Sequence, residues 1–271
     1  KDSAPAAGFG VHAYVLDTGV RTTHSQFTGR AIPTIESLGH IKKCGCQETM
    51  CANDTHGHGT HCAATIGGET FGVAPQVRVH SVKVLDNDGY GYTSWSIAAE
   101  GWILSNAMRP AVVSMSLGGP GNNHAEKAAI DALINDNVAV VVAAGNEEDS
   151  ACNYNPAFVP NAITVGSTDS TDSLSWFSNF GTCVDILAPG SSVQSAGKDS
   201  DTQSSWMSGT SMACPHVSGA VAILFSLSHA MTPAEILNEL LAKALDGAIA
   251  GLGGTGAPNK LLQVDTLSAS A

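Results

Sequence analysis

The stretch "SSWMSGTSMACPHVSGAVAILFSLSHA", residues 204–230, carries the strongest fold signal in the chain. Its first half is polar, and its second half is an apolar run that predicts a buried helix over 211–229. Ser211 stands where that helix begins, among small residues such as Gly209 and Ala213. A serine in this place is commonly a helix N-cap. The rest of the chain must show whether capping is sufficient.

Apolar, β-branched runs alternate with helical patterns along the whole chain. The predicted strands are 11–17, 77–85, 111–117, 138–144, 162–167 and 183–188, and the predicted helices are 58–67, 93–108, 123–136, 211–229 and 233–245. Continuous apolar strands that alternate with helices indicate a parallel sheet covered on both faces. We therefore expect an α/β three-layer sandwich with a mainly parallel central sheet. No repeat or linker divides the sequence, so we expect one domain over residues 1–271.

Charge and hydropathy exclude two classes of partner. The chain has 12 Lys and Arg against 24 Asp and Glu, for a net charge of −12. Nucleic acids are bound through clustered basic side chains, so we expect no nucleic-acid partner. The longest apolar runs, 138–145 and 219–227, are about half a membrane span, so we expect a soluble protein with no membrane partner.

The cysteines and the first residues bear on the compartment. The opening "KDSAPAAGFG" lacks the apolar core of a signal peptide, so either the protein is cytosolic or a leader has been removed. Several of the seven cysteines stand in loop-like sequence, which favours an oxidising compartment. The odd number leaves at least one thiol free, absent an intermolecular bridge.

Polar residues stand where predicted strands end, and a histidine stands where a predicted helix begins. Asp17 and Asn146 each follow a strand, and His58 opens the helix 58–67. Functional groups collect beyond the carboxyl ends of strands in an open parallel sheet. Nucleophilic serine chemistry needs a hydroxyl, a base and an orienting carboxylate, which Ser211, His58 and Asp17 supply. The N–H of Ser211 at the helix start, with the Asn146 amide opposite, could hold an oxyanion.

Each of these residues also has a simpler explanation when it is taken alone. Ser211 could be a cap, Asp17 could begin a turn, and His58 could be a structural histidine. Taken together, with each residue at the end of a predicted element, they favour a catalytic centre.

Six motifs resemble those of one peptidase family. Three resemble the active-site signatures of the subtilisin-like serine peptidases, the subtilases, and three resemble that family's substrate-binding and oxyanion segments. They are "VLDTGV" (15–20), "HGHGTHCA" (56–63), "GTSMACPHVSG" (209–219), "KVLDNDGYG" (83–91), "SMSLGG" (114–119) and "VVAAGN" (141–146). Cys62, "CNYNPA" (152–157) and "FSNFGTCVDILAPG" (177–190) are similar to the proteinase K branch, including its aqualysin-like members.

The resemblance implies a secreted serine endopeptidase that works through an acyl-enzyme. Asp17 would orient His58, His58 would deprotonate Ser211, and the Ser211 N–H and Asn146 would hold the oxyanion. The resemblance also implies a propeptide that assists maturation and a zymogen form. We expect a monomer that acts on proteins and peptides.

The resemblance also implies where substrate lies. Main-chain pairing with two flanking segments would bind almost any extended peptide, and one roomy, uncharged pocket would favour cleavage after aromatic and large aliphatic residues. The flanking segments are Ser116, Leu117 and Gly118 on one side and Gly89, Tyr90 and Gly91 on the other; the pocket adds Ala143, Ala144, Gly145, Tyr154 and Asn155.

A structural calcium ion is implied by similarity to the proteinase K branch. The matching ligands are the carbonyls of Pro160 and Ala162 and the carboxylate of Asp185, an oxygen-only set that suits Ca²⁺. The alternative is that Asp185 caps a turn. We do not predict a second calcium site at the N-terminus, because relatives have a longer segment before the residue matching Asp17, and the number of calcium sites stays open. We expect no organic cofactor.

The resemblance also assigns some cysteines. Cys152 and Cys183 coincide with a disulfide pair of aqualysin-like enzymes. Cys51 is expected to pair with Cys44 or Cys46, and a zinc site including His40 is the less favoured alternative. Cys62 would lie beside the catalytic histidine and confer sensitivity to mercurials, unless it is an inert buried thiol.

Two rival functions make different demands on the sequence. A catalytically silent subtilase-like protein that binds peptides would have lost a triad or oxyanion residue, and none is lost here. An esterase of the α/β-hydrolase class would have G-x-S-x-G and the chain order Ser, Asp, His. Ser211 lies in "SGTSMA" and comes last, so this second rival fails.

Overall fold

A computed structural model describes residues 7–45 and 48–267 of the chain. The strands are β1 (His12–Asp17), β2 (Ala31–Ser37), β3 (Ile41–Lys43), β4 (Arg78–Lys83), β5 (Ala111–Met115), β6 (Gly119–Pro120), β7 (Val138–Ala143), β8 (Tyr154–Asn155), β9 (Ile163–Thr168), β10 (Ile186–Pro189), β11 (Val193–Ala196), β12 (Ser204–Met207), β13 (Leu245–Asp246) and β14 (Lys260–Leu261). The helices are α1 (His58–Gly67), α2 (Thr93–Asn106), α3 (His124–Asn135), α4 (Thr210–Leu227) and α5 (Pro233–Lys243).

One ten-stranded sheet runs through the described residues in the order β13-β14-β10-β9-β7-β5-β1-β4-β2-β3. Neighbouring strands are parallel except at the two edges, where β2–β3 and β13–β14 are antiparallel. Because β1 has β4 on one side and β5 on the other, the direction of winding reverses at β1. Such a reversal opens a crevice beyond the carboxyl ends of the strands, and this crevice holds the site described below.

Alternate side chains of the central strands enter two different cores. On β1, Ala13 and Val15 pack into a core shared with α1, α4 and α5, whereas Tyr14 and Leu16 pack into a core shared with α2 and α3. Both faces of the sheet are therefore apolar, which explains why its central strands have continuous apolar sequences. The predicted three-layer arrangement with a mainly parallel sheet is confirmed.

Helix α4 crosses the centre of the first core. It is long and apolar enough to span a membrane by length and composition, but 78% of it is buried inside the protein. It contacts β5, β7, β9 and β10, so its burial against the sheet accounts for its apolar sequence.

The predicted strands and helices are all present, with ends shifted by up to three residues, but the sequence analysis missed several edge elements. Strand β2 alternates buried and half-buried residues over Ala31–Ser37, and Pro33 within it obscured the pattern. Proline removes a ladder donor, and the register of β2 against β4 shifts between Pro33 and Ile35. The two-stranded ladders β11–β12 and β6–β8 are too short to show periodicity in the sequence.

Two disulfides join loops at the surface. Cys44 bonds to Cys51 and Cys152 bonds to Cys183, with Cα–Cα distances of 5.5 and 5.3 Å. This pairing excludes zinc ligation by the Cys44 and Cys51 thiolates, and the predicted alternative partner, Cys46, lies outside the described residues.

Candidate active site

A cavity of about 840 Å³ lies beyond the carboxyl ends of β1 and β5. His58 from the start of α1, Ser211 from the start of α4 and Asn146 from the segment after β7 all line it. Asp17, the last residue of β1, is fully buried behind His58. The fold thus brings together four residues that are up to 194 positions apart in the sequence, from 17 to 211.

The Asp17 carboxylate holds the His58 ring in one orientation. Nδ1 of His58 lies 2.8 Å from Oδ1 and 2.9 Å from Oδ2 of Asp17. The Thr18 N–H also donates to Asp17 Oδ1, at 2.7 Å. Since Nδ1 faces Asp17, it carries the proton, and the other ring nitrogen, Nε2, remains available to accept one.

Gly59 permits this contact between α1 and β1. A Cβ at Gly59 would lie 2.1 Å from the backbone oxygen of Gly19 and 3.1 Å from Asp17 Oδ1. Any larger residue would push the helix away from the end of β1. The glycine therefore lets the start of α1 lie directly against the Asp17–Gly19 segment.

Asp54 fixes the loop that leads into α1. It is buried and accepts hydrogen bonds from Thr18 Oγ1, the N–H groups of His56 and Gly57, and both the N–H and hydroxyl of Thr60, all between 2.7 and 2.9 Å. Thr18 follows Asp17 directly, so Asp54 ties the carboxylate and the histidine to one frame. The sequence analysis missed this role; an Asp near the first turn of a helix was the available signal.

The environment of His58 raises the pKa of its imidazole well above the ordinary value. Burial is the largest single effect and opposes the charged form, but the attraction of the Asp17 carboxylate, its hydrogen bond to the ring and smaller contributions from Cys62 together outweigh it. The buried Cys62 thiol lies 4.0 Å from His58 Nδ1, and burial raises its own pKa. Cys62 is therefore a neutral neighbour of the histidine at ordinary pH.

The Ser211 hydroxyl donates to the backbone oxygen of Ser116 at 3.1 Å. It therefore does not donate to His58 in this conformation, although both side chains line the same cavity. A rotation about the Cα–Cβ bond of Ser211 moves Oγ between staggered positions. Catalytic hydrogen bonds are often loose before substrate binds, so the arrangement is compatible with proton transfer to His58.

The start of α4 and Asn146 supply donors around Ser211. Ser211 is the second residue of α4, where backbone N–H groups have no partner within the helix. Asn146 Oδ1 accepts from the N–H and hydroxyl of Thr210 at 2.8 and 3.1 Å. This fixes the orientation of the amide, and the exposed Asn146 has no acceptor for its Nδ2 among the described residues, so that donor is available to a ligand.

The profile of the subtilase family of peptidases matches residues 8–263. The chain belongs to the subtilase family. It is 45% identical over 95% of its length to an extracellular serine proteinase of Thermus sp. (strain Rt41A), and 42% identical over 96% to an alkaline serine exoprotease A of Vibrio alginolyticus. It spans 60% and 46% of the length of these two curated relatives.

A solved structure agrees with this assignment. The crystal structure of a cold-adapted subtilisin-like serine proteinase superposes with a TM-score of 0.89 at 41% sequence identity. The match covers 97% of this chain and 92% of that one. The subtilase architecture therefore extends across nearly the whole chain.

The segments expected to flank a substrate line the cavity of this subtilase from two sides. Gly89, Tyr90 and Gly91 lie along one wall, and residues 116–118 lie along the other. A Cβ at Gly118 would lie 2.8 Å from the backbone oxygen of Asn155, so only glycine lets segment 116–118 approach the segment that contains Asn155 this closely. Tyr90 is 76% exposed, which leaves it free to cover a bound peptide.

The predicted specificity pocket differs from expectation in size and charge. A cavity of about 70 Å³ is lined by Leu117, Gly118, Ala143, Ala144, Gly145, Tyr154, Asn155 and Ser211, together with Glu147. The cavity is small in this conformation and the Glu147 carboxylate lies at its edge, whereas a roomy, uncharged pocket was expected; the preference for aromatic and large aliphatic residues stays a prediction. Glu147 Oε2 accepts from the Asn146 N–H at 2.8 Å and from Asn179 Nδ2 at 2.7 Å, which holds it there.

Asp185 is a desolvated carboxylate with one backbone donor. It is half-buried, its Oδ2 accepts from the Thr164 N–H at 2.8 Å, and burial raises its pKa to about 6. Within residues 7–45 and 48–267 no ion pair joins it to a basic side chain. Thr164 lies two residues after Ala162, so the expected carbonyl ligands are on the same segment, and the oxygen-only donor set fits Ca²⁺.

Proposed function

We propose that this subtilase is an extracellular serine endopeptidase, acting as a single peptidase domain. The observation that carries the proposal is the paired contact of His58 Nδ1 with both carboxylate oxygens of Asp17, in a cavity that Ser211 also lines. The relatives named as extracellular or alkaline serine proteases support the activity and the location. The two disulfides agree with an oxidising compartment.

The proposed reaction proceeds in two stages. In the first, Ser211 Oγ attacks the peptide carbonyl carbon and its proton passes to His58 Nε2. The Ser211 N–H and Asn146 Nδ2 stabilise the oxyanion. His58 then gives the proton to the leaving amine, the C–N bond breaks, and an acyl-enzyme remains. In the second stage, water with His58 as base hydrolyses the ester and returns the proton to Ser211.

Substrate is proposed to bind as an extended strand between the two cavity walls. Backbone pairing with 116–118 and 89–91 gives affinity without strict sequence requirements. The pocket beside Ala143–Gly145 receives the residue before the scissile bond. Its apolar wall still favours aromatic and aliphatic side chains, and Glu147 disfavours an acidic one by like-charge repulsion.

Other parts of the proposal concern assembly and stability. A structural Ca²⁺ held by Pro160, Ala162 and Asp185 would neutralise the desolvated carboxylate. No organic cofactor is required, because the triad supplies both the nucleophile and the base. Protein and peptide substrates, a propeptide during maturation and a monomeric state complete the proposal.

Replacing the nucleophile tests the proposal directly. Ser211→Ala should lower casein hydrolysis by about a millionfold, the loss seen when the corresponding serine of subtilisin is removed. A serine-directed sulfonyl fluoride should label the wild type and not the variant. Casein hydrolysis that persists in the variant refutes the assignment of Ser211. A wild type that binds peptides without cleaving them supports the catalytically silent alternative, and strict cleavage after Lys or Arg refutes the proposed pocket.

A further inference from the structure

A group of buried acceptors lines one part of the main cavity. Glu126, Asn155 and Ser96 line this part, which we call the acidic end. Asn155 also lines the small pocket beside Ser211, so the acidic end and that pocket are adjacent. A ligand that fills the small pocket can therefore extend into the acidic end.

Glu126 points into the cavity instead of capping its own helix. It lies in the first turn of α3, and the N-cap side chain, Asn123, accepts from the N–H groups of Ala125 and Glu126. Glu126 is only 1% exposed, and its Oε2 accepts from Asn155 Nδ2. Its Oε1 is buried and meets no donor in the described part of the chain.

A second carboxylate lies beneath the first. Thr93, Ser96 and Glu100 are spaced by three and four residues on α2 and so share one face of that helix. Thr93 and Ser96 line the cavity, and Glu100 follows one turn deeper, fully buried. Neither oxygen of Glu100 has a hydrogen-bond donor among the described residues.

Burial makes the charged form of both carboxyl groups costly. Burial, and then repulsion from Glu126, raises the pKa of Glu100 well above its ordinary value. Burial also raises the pKa of Glu126. No described Lys or Arg forms an ion pair with either group, so their desolvation is uncompensated within this part of the protein.

The free atoms at the acidic end are acceptors. Because Asn155 Nδ2 donates to Glu126, the amide presents Oδ1 on its other side, and that buried oxygen has no donor within residues 7–45 and 48–267. Glu126 Oε1 offers a second acceptor. A lysine ammonium carries three donors and no acceptor, and a guanidinium carries five, so either complements this set.

We propose that the acidic end is a specificity subsite for a Lys or Arg side chain of the substrate, a few residues before the scissile bond. This inference rests on the proposed peptidase activity, because the cationic side chain would belong to a peptide that also reaches Ser211. Glu126 and Asn155 would contact the cation directly, and Glu100, one helical turn beneath, would keep the floor of the subsite polar. Charge-assisted hydrogen bonds in a desolvated pocket are the strong ones, which makes the subsite selective.

Matched peptides test the subsite. Internally quenched peptides keep Phe before the scissile bond and carry Lys, norleucine or Glu at each position from two to five residues before the cut. Lys should raise kcat/KM over norleucine by about tenfold or more at one position, and Glu should lower it there. Glu126→Gln should reduce the preference for Lys to about threefold or less, measured as kcat/KM in that variant relative to the norleucine peptide. That peptide also reports whether the variant is folded.

A control variant and two different negative results separate the subsite proposal from the peptidase proposal. Glu239→Gln removes one negative charge from α5, away from the cavity, and should keep the full preference for Lys. If no peptide is cleaved by the wild type, the proposed peptidase activity fails. If all peptides are cleaved without a preference for Lys, or the preference survives in both Glu126→Gln and Glu100→Gln, the subsite proposal is overturned and the peptidase proposal stands.

Discussion

Pro215 deprives the backbone carbonyl of Ser211 of its helical hydrogen bond. Both residues lie in α4, four positions apart, and proline has no N–H to donate to the carbonyl four residues before it. The Ser211 oxygen instead accepts from Ser116 Oγ at 2.9 Å and from Cys62 Sγ at 3.3 Å. Since Ser211 Oγ donates back to the Ser116 oxygen, the two serines hold each other.

The reciprocal contact predicts a positioning role for the Ser116 side chain. Ser116→Ala keeps the backbone oxygen but removes the donor to Ser211, so kcat should fall about three- to tenfold with little change in KM, and stability should fall by about 1 kcal/mol. Steady-state kinetics and urea unfolding in a Ser211→Ala background measure the two effects.

Ser114→Ala is the matched control for Ser116→Ala. Ser114 is also buried and its Oγ accepts from Ser218 at 2.9 Å, further along α4. It should lose comparable stability without the loss in kcat. Equal losses of kcat in Ser116→Ala and Ser114→Ala would show that Ser116 acts only through general packing and has no positioning role.

The raised pKa of His58 predicts an acid limit on activity that lies above pH 6.5. The proposed reaction needs neutral His58, and the Asp17 carboxylate keeps the ring protonated to higher pH, so kcat/KM should rise with pH through that raised value. Asp17→Asn should lower kcat by about 10⁴-fold and shift the acid limit to lower pH.

Asp201→Asn provides the charge control for Asp17→Asn. Asp201 is half-exposed and pairs with Arg21, so its loss changes net charge equally without touching the ring. It should leave the pH profile in place. If the acid limit of kcat/KM does not shift in Asp17→Asn, a group other than His58 sets the pH dependence.

Buried neutral histidines predict acid unfolding. Burial lowers the pKa of His80 to about 3 and that of His61 to about 4, while unfolded histidine titrates near 6.5. Between these values the unfolded chain binds more protons, so stability is full above pH 6.5 and falls as pH drops toward 4, by up to about 1.4 kcal/mol per pH unit for each histidine.

His80→Gln should make the dependence of the unfolding free energy on pH shallower, by up to about 1.4 kcal/mol per pH unit. The glutamine amide can still bond to His12 and Thr34, the two partners that His80 contacts at 2.8 and 3.1 Å. Urea unfolding from pH 4 to 8 in the Ser211→Ala background, which prevents autolysis, measures the slope. The exposed His40→Gln should not change it, and an unchanged slope in His80→Gln would contradict the assignment.

The features that could be predicted from the sequence are those that depend on a single segment of the chain. Asp17, His58, Ser211 and Asn146 each end or begin an element with strong periodicity, and parallel strands place their carboxyl ends at one edge. Their convergence in one cavity therefore required little tertiary information.

What the sequence did not show depends on packing between segments. Glu126 and Glu100 are each unremarkable residues of helical sequence, and only the contact of α3 with α2 buries them together. Glu147 follows Asn146 directly, but its place at the pocket edge depends on its hydrogen bond with Asn179, 32 residues away. No local pattern signals such a contact.

Cys62 predicts inhibition by mercurials. The Cys62 sulfur lies 4.0 Å from His58 Nδ1 and 3.3 Å from the backbone oxygen of Ser211. A mercury atom bound to this sulfur would therefore displace the His58 ring and the start of α4. Cys62→Ala should keep activity and become resistant. Cys214→Ala is the control, since Cys214 is also free and buried but bonds to Ser114 and the Val141 oxygen within the core. Inhibition that persists in Cys62→Ala would assign the effect to another site.

The surroundings of Asp185 predict that calcium removal lowers thermal stability. If calcium is present at about a hundred times its Kd, it adds about 2.7 kcal/mol, which corresponds to roughly 5–10 °C in Tm for a chain of this size. EDTA should lower the Tm of the Ser211→Ala protein by that amount. Asp185→Asn should lower the Tm without EDTA and abolish the response to EDTA.

Because the pKa of Asp185 is raised to about 6, protons compete with calcium below that pH, so the EDTA effect should shrink at pH 5. Asp172→Asn is the control: Asp172 is exposed with a φ of 55°, a conformation that asparagine also tolerates, so its response to EDTA should match the parent. A Tm that EDTA does not change at pH 8, or an undiminished response in Asp185→Asn, would remove calcium from this site.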